Sequence, residues 1–202
     1  MEGVPRSNGS VNMSDGLKIS DKKTNSGLAF CVLFSAVFIF LVAADQIIKQ
    51  IIVNTVKVNG TVTVIDKFFY LYYAENTGSA FSLFADKPWG IYFLSGVSLI
   101  LGIGIFVLMI IASKNSMKLL ALAFCLLSSG AIGNLIDRFR LKYVIDFLRF
   151  DFGTYTFPIF NFADMCAVVG TILVICIIVF GSKYFETFWN ILFAKRNPQN
   201  AG

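Results

Sequence analysis

Residues 133–164 read GNLIDRFRLKYVIDFLRFDFGTYTFPIFNFAD, and apolar runs long enough to cross a bilayer flank them on both sides. Within this stretch lie Asp137, Asp146, Asp151 and Asp164, together with Asn134, Arg138 and Asn161. Carboxylates at the edge of hydrocarbon are costly, so their presence asks for a function. Residues 139–157 are too charged and aromatic to span and are expected to lie as a segment along the membrane surface. Pro158 disfavours helix at Phe157. The next span is therefore expected from about residue 161 to 181, with Asp164 as its only charge.

Working outward, 56% of the 202 residues are hydrophobic, only 14% are charged, and 22 are phenylalanine, which places the chain among membrane proteins. Residues 28–44, continuing helically through Asp45 and Lys49, give a first span. Residues 89–112 and 119–136 give the second and third. Asp45 and Lys49 stand four apart on one face, acid first, and form an expected ion pair. Ser98 with Gly102, and Ser129 with Gly133, supply the small-residue spacing that lets helices pack closely. Between the first two spans the period changes. Residues 56–64 alternate around Asn59-Gly60, a hairpin signal, and residues 68–73 suggest another strand. Glu75-Asn76-Thr77-Gly78-Ser79-Ala80 reads as a polar turn. Residues 1–26 read as a disordered tail and residues 183–193 as an interfacial helix.

Four spans put both termini on one side. Lys and Arg divide almost evenly between the two faces, and the structured loop at residues 54–88 is assigned to the extracytoplasmic side, leaving the termini in the cytoplasm. The net charge of +5 with this hydropathy suits anionic headgroups better than nucleic acid. The chain has no histidine, which removes most zinc sites and His-based triads. No metal ligand set and no cofactor are read. The four cysteines lie in apolar runs and read as small buried hydrophobes.

Three readings compete for the acids. In the first they are structural and pair with Arg138 and the asparagines to fix helix register. In the second they serve a proton- or ion-coupled transporter, although such groups sit nearer the midplane and no inverted repeat is visible. In the third, Asp146 and Asp164 meet, share one proton and hydrolyse a peptide bond with water. The start of a helix favours an anion at Asp164, which leaves the shared proton to Asp146.

Five motifs occur in order: Asp45-Gln46-x-x-Lys49, Asn76-Thr77-Gly78-Ser79-Ala80-Phe81, Gly133-Asn134-x-x-Asp137-Arg138, Val144-Ile145-Asp146-Phe147 and Phe160-Asn161-x-Ala163-Asp164. Together they resemble bacterial lipoprotein signal peptidase, also called signal peptidase II, over about residues 28–182. The resemblance implies an all-α membrane protein with four transmembrane helices, a small extracytoplasmic β-cradle and a surface helix. It implies an aspartyl endopeptidase of the bacterial inner membrane that cuts diacylglyceryl-modified prolipoproteins before the lipidated cysteine. The catalytic pair maps to Asp146 and Asp164. Residues contacting substrate or the inhibitor globomycin map to Asn76, Asn134, Arg138 and Asn161. Asp45, Lys49, Gly78, Ala80 and Asp137 take supporting roles. A monomer in contact with membrane lipids is expected.

Overall fold

The computed structural model describes residues 13–78 and 89–193. Helix α1 spans Met13–Asn59, α2 Gly90–Lys114, α3 Lys118–Leu141, α4 Phe162–Phe180 and α5 Ser182–Phe193. Strands β1 (Val62–Ile65), β2 (Phe69–Asn76), β3 (Val144–Phe152) and β4 (Tyr155–Thr156) form one antiparallel sheet in the order β1-β2-β3-β4. The first four helices are each long and apolar enough to cross a membrane, counting α1 from Ser26. Helix α3 is the central one and packs against α1, α2 and α4.

Helix α1 begins at Met13, inside the segment expected as a disordered tail. Extending a helix costs far less than nucleating one, so the apolar span carries the polar residues before it into helix. At its other end α1 runs on to Asn59, across the first half of the expected hairpin. Ile52 and Val56, four apart, are buried there against Ile145 and Phe147. That burial overrides the β preference of the valines. The Asn59-Gly60 pair is consequently a helix stop and not a hairpin turn. Gly60 takes φ +93°, and its N–H donates to the Val56 carbonyl at 3.0 Å. The hairpin comes later, between β1 and β2, and turns through Lys67 at φ 57°.

The expected surface segment over residues 139–157 is mostly strand. Helix α3 stops at Leu141, where Lys142 adopts the left-handed conformation and donates its N–H to the Arg138 carbonyl. From Val144 the side chains alternate between faces, and β2 satisfies the backbone. The β-branched and aromatic residues Val144, Ile145, Phe147, Phe150 and Phe152 outweigh the charges at Arg149 and Asp151, which pair with each other at 3.0 Å. Phe160 pairs with Leu148 in a further antiparallel bridge, so the chain returns along β3 before α4 begins.

Away from the sheet, Phe34, Met109, Leu120, Phe124 and Phe188 form the main core, with α5 closing that end through Phe188 on Phe124. Of the cysteines, Cys31, Cys125 and Cys166 are buried as expected, whereas Cys176 is exposed on α4. Helices α3 and α4 approach backbone to backbone at Gly130, where an added methyl would collide with the Ala163 carbonyl oxygen. Gly130→Ala is therefore expected to destabilise the fold by about 1–3 kcal/mol, measured as a lower midpoint in thermal unfolding of the purified protein.

Candidate active site

Helices α1, α3 and α4 and strands β2 and β3 converge at the end of the bundle that carries the sheet. The register that pairs Ala74 with Asp146 and Asn76 with Val144 sets Asn76 beside Asp146. The Asn76 side-chain amide donates to Asp146 Oδ2 at 2.9 Å, while its own oxygen accepts the Gly78 N–H at 3.0 Å. Asn161, fully buried, caps α4. Its oxygen accepts the Asp164 N–H and its N–H donates to Asp164 Oδ2, both at 3.0 Å, closing a reciprocal capping box. The same residue turns its amide nitrogen to Asp146 Oδ1 at 2.6 Å and to Asn134 Oδ1 at 3.0 Å. One asparagine thus bridges the two aspartates.

Asn134 completes the ring. Its nitrogen donates to Asp164 Oδ1 at 2.8 Å, and its oxygen accepts from Lys49 Nζ at 3.1 Å as well as from Asn161. Two donors on the oxygen fix which way this amide points. Lys49 is buried to 1% exposure and lies 2.9 Å from Asp45 and 2.8 Å from Asp137. Asp45 accepts the Ala163 N–H at the start of α4, and Asp137 accepts the Ile145 N–H at the start of β3. This buried ion group therefore ties together the two segments that carry Asp164 and Asp146. Gln46 adds to it, donating to Asp45, Asp137 and the Gly133 carbonyl.

Asp146 is 3% exposed. Burial first, and the nearby Asp164 charge second, push its carboxyl up to about 6, against the pull of the Asn76 and Asn161 hydrogen bonds. Arg138 stands across from the acids and is nine-tenths buried. It reaches Ser98 Oγ at 3.3 Å and the Gly78 carbonyl at 3.5 Å, and its Nε has no partner among the described residues. Asn76, Asn134, Arg138, Asp146 and Asp164 form the polar wall of one cavity of about 350 Å³, closed on the other side by Phe157, Phe160 and Val168. A second hollow of about 310 Å³ continues from Asp164 along Met165, Val168 and Val169, with a wholly apolar lining.

A model of signal peptidase II matches residues 37–180. The chain belongs to the signal peptidase II family. It is 38% identical to the lipoprotein signal peptidase of Clostridium tetani over 136 residues, which is 67% of this chain and 85% of that one. It is 42% identical to that of Streptococcus pyogenes serotype M6, over 72% of this chain and 92% of that one. A solved structure described as a bacterial membrane enzyme at 2.3 Å resolution superposes with TM-score 0.64 at 31% identity, covering 75% of this chain and 88% of its own. Family membership makes the chain a peptidase, and the transporter reading is set aside.

Of the residues the motifs pointed to, Asp45, Lys49, Asn76, Gly78, Asn134, Asp137, Arg138, Asp146, Asn161 and Asp164 gather here in one network. Ala80 lies outside the described residues. Sequence reasoning missed Gln46 and Ser98. Gln46 stood inside a quoted motif, and a glutamine between two buried acids is a signal in itself. Ser98 shows in the sequence only as a small packing residue, yet it accepts from Arg138.

Proposed function

We propose that Asp146 and Asp164 hydrolyse the peptide bond before the lipidated cysteine of a diacylglyceryl-modified prolipoprotein, releasing its signal peptide. The observation that carries this reading is the pair of carboxylates joined through Asn161 at the mouth of a cavity that runs into an apolar trough. A peptide lying against Asn76, Asn134 and Arg138 presents its carbonyl to the pair, and the acyl chains of the same substrate occupy the trough beside α4.

The two acids play different parts. Negative charge is stabilised at the start of α4, which suits Asp164 to the part of the base. Asp146, desolvated and raised, holds the proton. Asp164 takes a proton from water, the hydroxyl oxygen bonds to the carbonyl carbon, and Asp146 gives its proton to the carbonyl oxygen. Asp146 then recovers that proton as the tetrahedral intermediate collapses. Asp164 passes its own to the leaving nitrogen, which becomes the new amino terminus of the lipidated cysteine. Asn161 holds both carboxylates in position through these steps, and the Arg138 guanidinium steadies the charge that develops.

The protein acts as a monomer in the bacterial inner membrane, with both termini in the cytoplasm and the dyad near the outer face, where a diacylglyceryl anchor holds the substrate. Globomycin-like peptides compete for the same asparagines and Arg138. Purified protein is expected to shift a diacylglyceryl-modified pro-peptide to its cleaved product on a gel, and globomycin is expected to block the shift. Solute flux into vesicles with the lipopeptide left intact would overturn the reading.

The shared proton sets a pH limit. The acid form of Asp146 is lost as pH rises through about 6, so kcat/KM of the free enzyme falls on that alkaline limb. Asn76 donates to the ionised form, so Asn76→Ala is expected to move the limb to higher pH. Profiles of kcat/KM across roughly pH 5 to 9 for both proteins check this; an unmoved limb would assign it to another group.

A further inference from the structure

Across Arg138 from the dyad lies a separate groove of about 260 Å³. Tyr92, Ser95, Gly96 and Leu99 line it from the first turns of α2, and Arg138 and Lys142 line it from the end of α3. The α2 residues recur at helical spacing and form one face. The groove carries two cations and no carboxylate among its described lining residues. Both cations are weakly engaged. Among the described residues Arg138 makes only long hydrogen bonds and leaves one N–H without a partner. Lys142 Nζ lies 5.7 Å from the centre of the Tyr92 ring and 3.4 Å from the Phe139 carbonyl. An ammonium held this loosely is available to an anion.

The surroundings say where that anion comes from. Tyr92 and Phe139, both in the groove's lining, are each more than half exposed, at the membrane-crossing helix ends beside the sheet. Aromatic side chains at helix ends mark the headgroup level. Leu99 continues the groove down α2 into an exposed apolar surface that includes Ile100 and Ile103. A cationic top, an aromatic rim and an apolar stem match a phosphodiester headgroup with its acyl chains. They do not match the diacylglyceryl group of a substrate, which carries no phosphate, and the apolar trough for that group lies on the α4 side.

We propose that this groove binds an anionic glycerophospholipid, with Lys142 and Arg138 facing its phosphate. Arg138 borders both the groove and the dyad cavity, so the lipid sits on the far side of the guanidinium that faces Asp146 and Asp164. The bilayer around the enzyme thereby screens a charge that the active site also uses. The claim stands apart from the peptidase reading, because binding is measured without turnover.

The test uses purified full-length protein in detergent micelles doped with phosphatidylglycerol or phosphatidylcholine, read by retained phospholipid in native mass spectrometry and by thermal midpoint. Wild type is expected to retain phosphatidylglycerol in preference and to gain stability from it. Lys142→Glu is expected to weaken retention about tenfold, since each basic residue near a headgroup contributes a modest share of the attraction. Gly96→Leu fills the groove, and its added Cβ meets no atom within 4 Å, so it is expected to fold normally and lose the lipid. Both variants are expected to keep wild-type turnover in phosphatidylcholine micelles. Equal retention of the two lipids by wild type, or undiminished phosphatidylglycerol in both variants, overturns the site. An equal midpoint rise from inorganic phosphate at the same phosphate concentration overturns the lipid as its occupant.

Discussion

Asp146→Asn and Asp164→Asn are each expected to lower signal-peptide cleavage by at least about a thousandfold while leaving the protein folded in the membrane. The two variants fail for different reasons. Asn at 146 cannot supply the proton that the carbonyl oxygen needs. Asn at 164 cannot take the proton from water. Each replacement keeps size and one of the two hydrogen bonds that the carboxylate accepts. At 164 an amide oxygen still accepts the Asn161 N–H that begins α4. Folding is therefore expected to survive, read as a thermal midpoint close to wild type. The double variant is expected to be no worse than either single one, because residues that act as one unit do not add. Turnover by either single variant within tenfold of wild type would remove the dyad.

Lys49→Met is the largest expected effect on stability, a loss of about 3–5 kcal/mol. The side chain is almost completely buried and is the only cation within ion-pairing distance of Asp45 and Asp137 among the described residues. Methionine fills the space but leaves two buried carboxylates facing each other, and desolvation without a counter-charge dominates the cost. Replacing both acids by asparagine in the same chain is expected to recover much of the loss, because the penalty belongs to the unpaired charges and not to the missing lysine. Denaturant unfolding of the single and triple variants measures it. The single variant also removes one of the two donors that orient Asn134 towards Asp164, so its residual folded fraction is expected to turn over more slowly.

Much of this was legible in the chain. Three runs without charge, and a fourth whose only charge is Asp164, could hardly be anything but membrane helices, and acids at their edges were conspicuous against hydrocarbon. What misled was local chemistry that tertiary packing overruled. Asn59-Gly60 has the residues of a tight turn, yet α1 extends to it because Ile52 and Val56 bury themselves under β3. Residues 144–152 carry enough charge to resemble a surface helix. Only the backbone partner β2, far away in sequence, makes them a strand. The pairing of Asp146 with Asp164 was inferred from their chemistry. The amide between them was recognisable as a site residue, but its position as a bridge needed three dimensions.

Asn161 also bears on how drug resistance could arise. The residue starts a transmembrane helix and steers both acids with one side chain. Serine or threonine would keep the cap and lose the amide donor. Aspartate would set a third carboxyl group against the two acids and lose the amide that donates to Asp146. A peptide antibiotic that leans on this position leaves a bacterium under selection few exchanges that spare its own enzyme, and escape is expected to be forced outward, to the apolar trough.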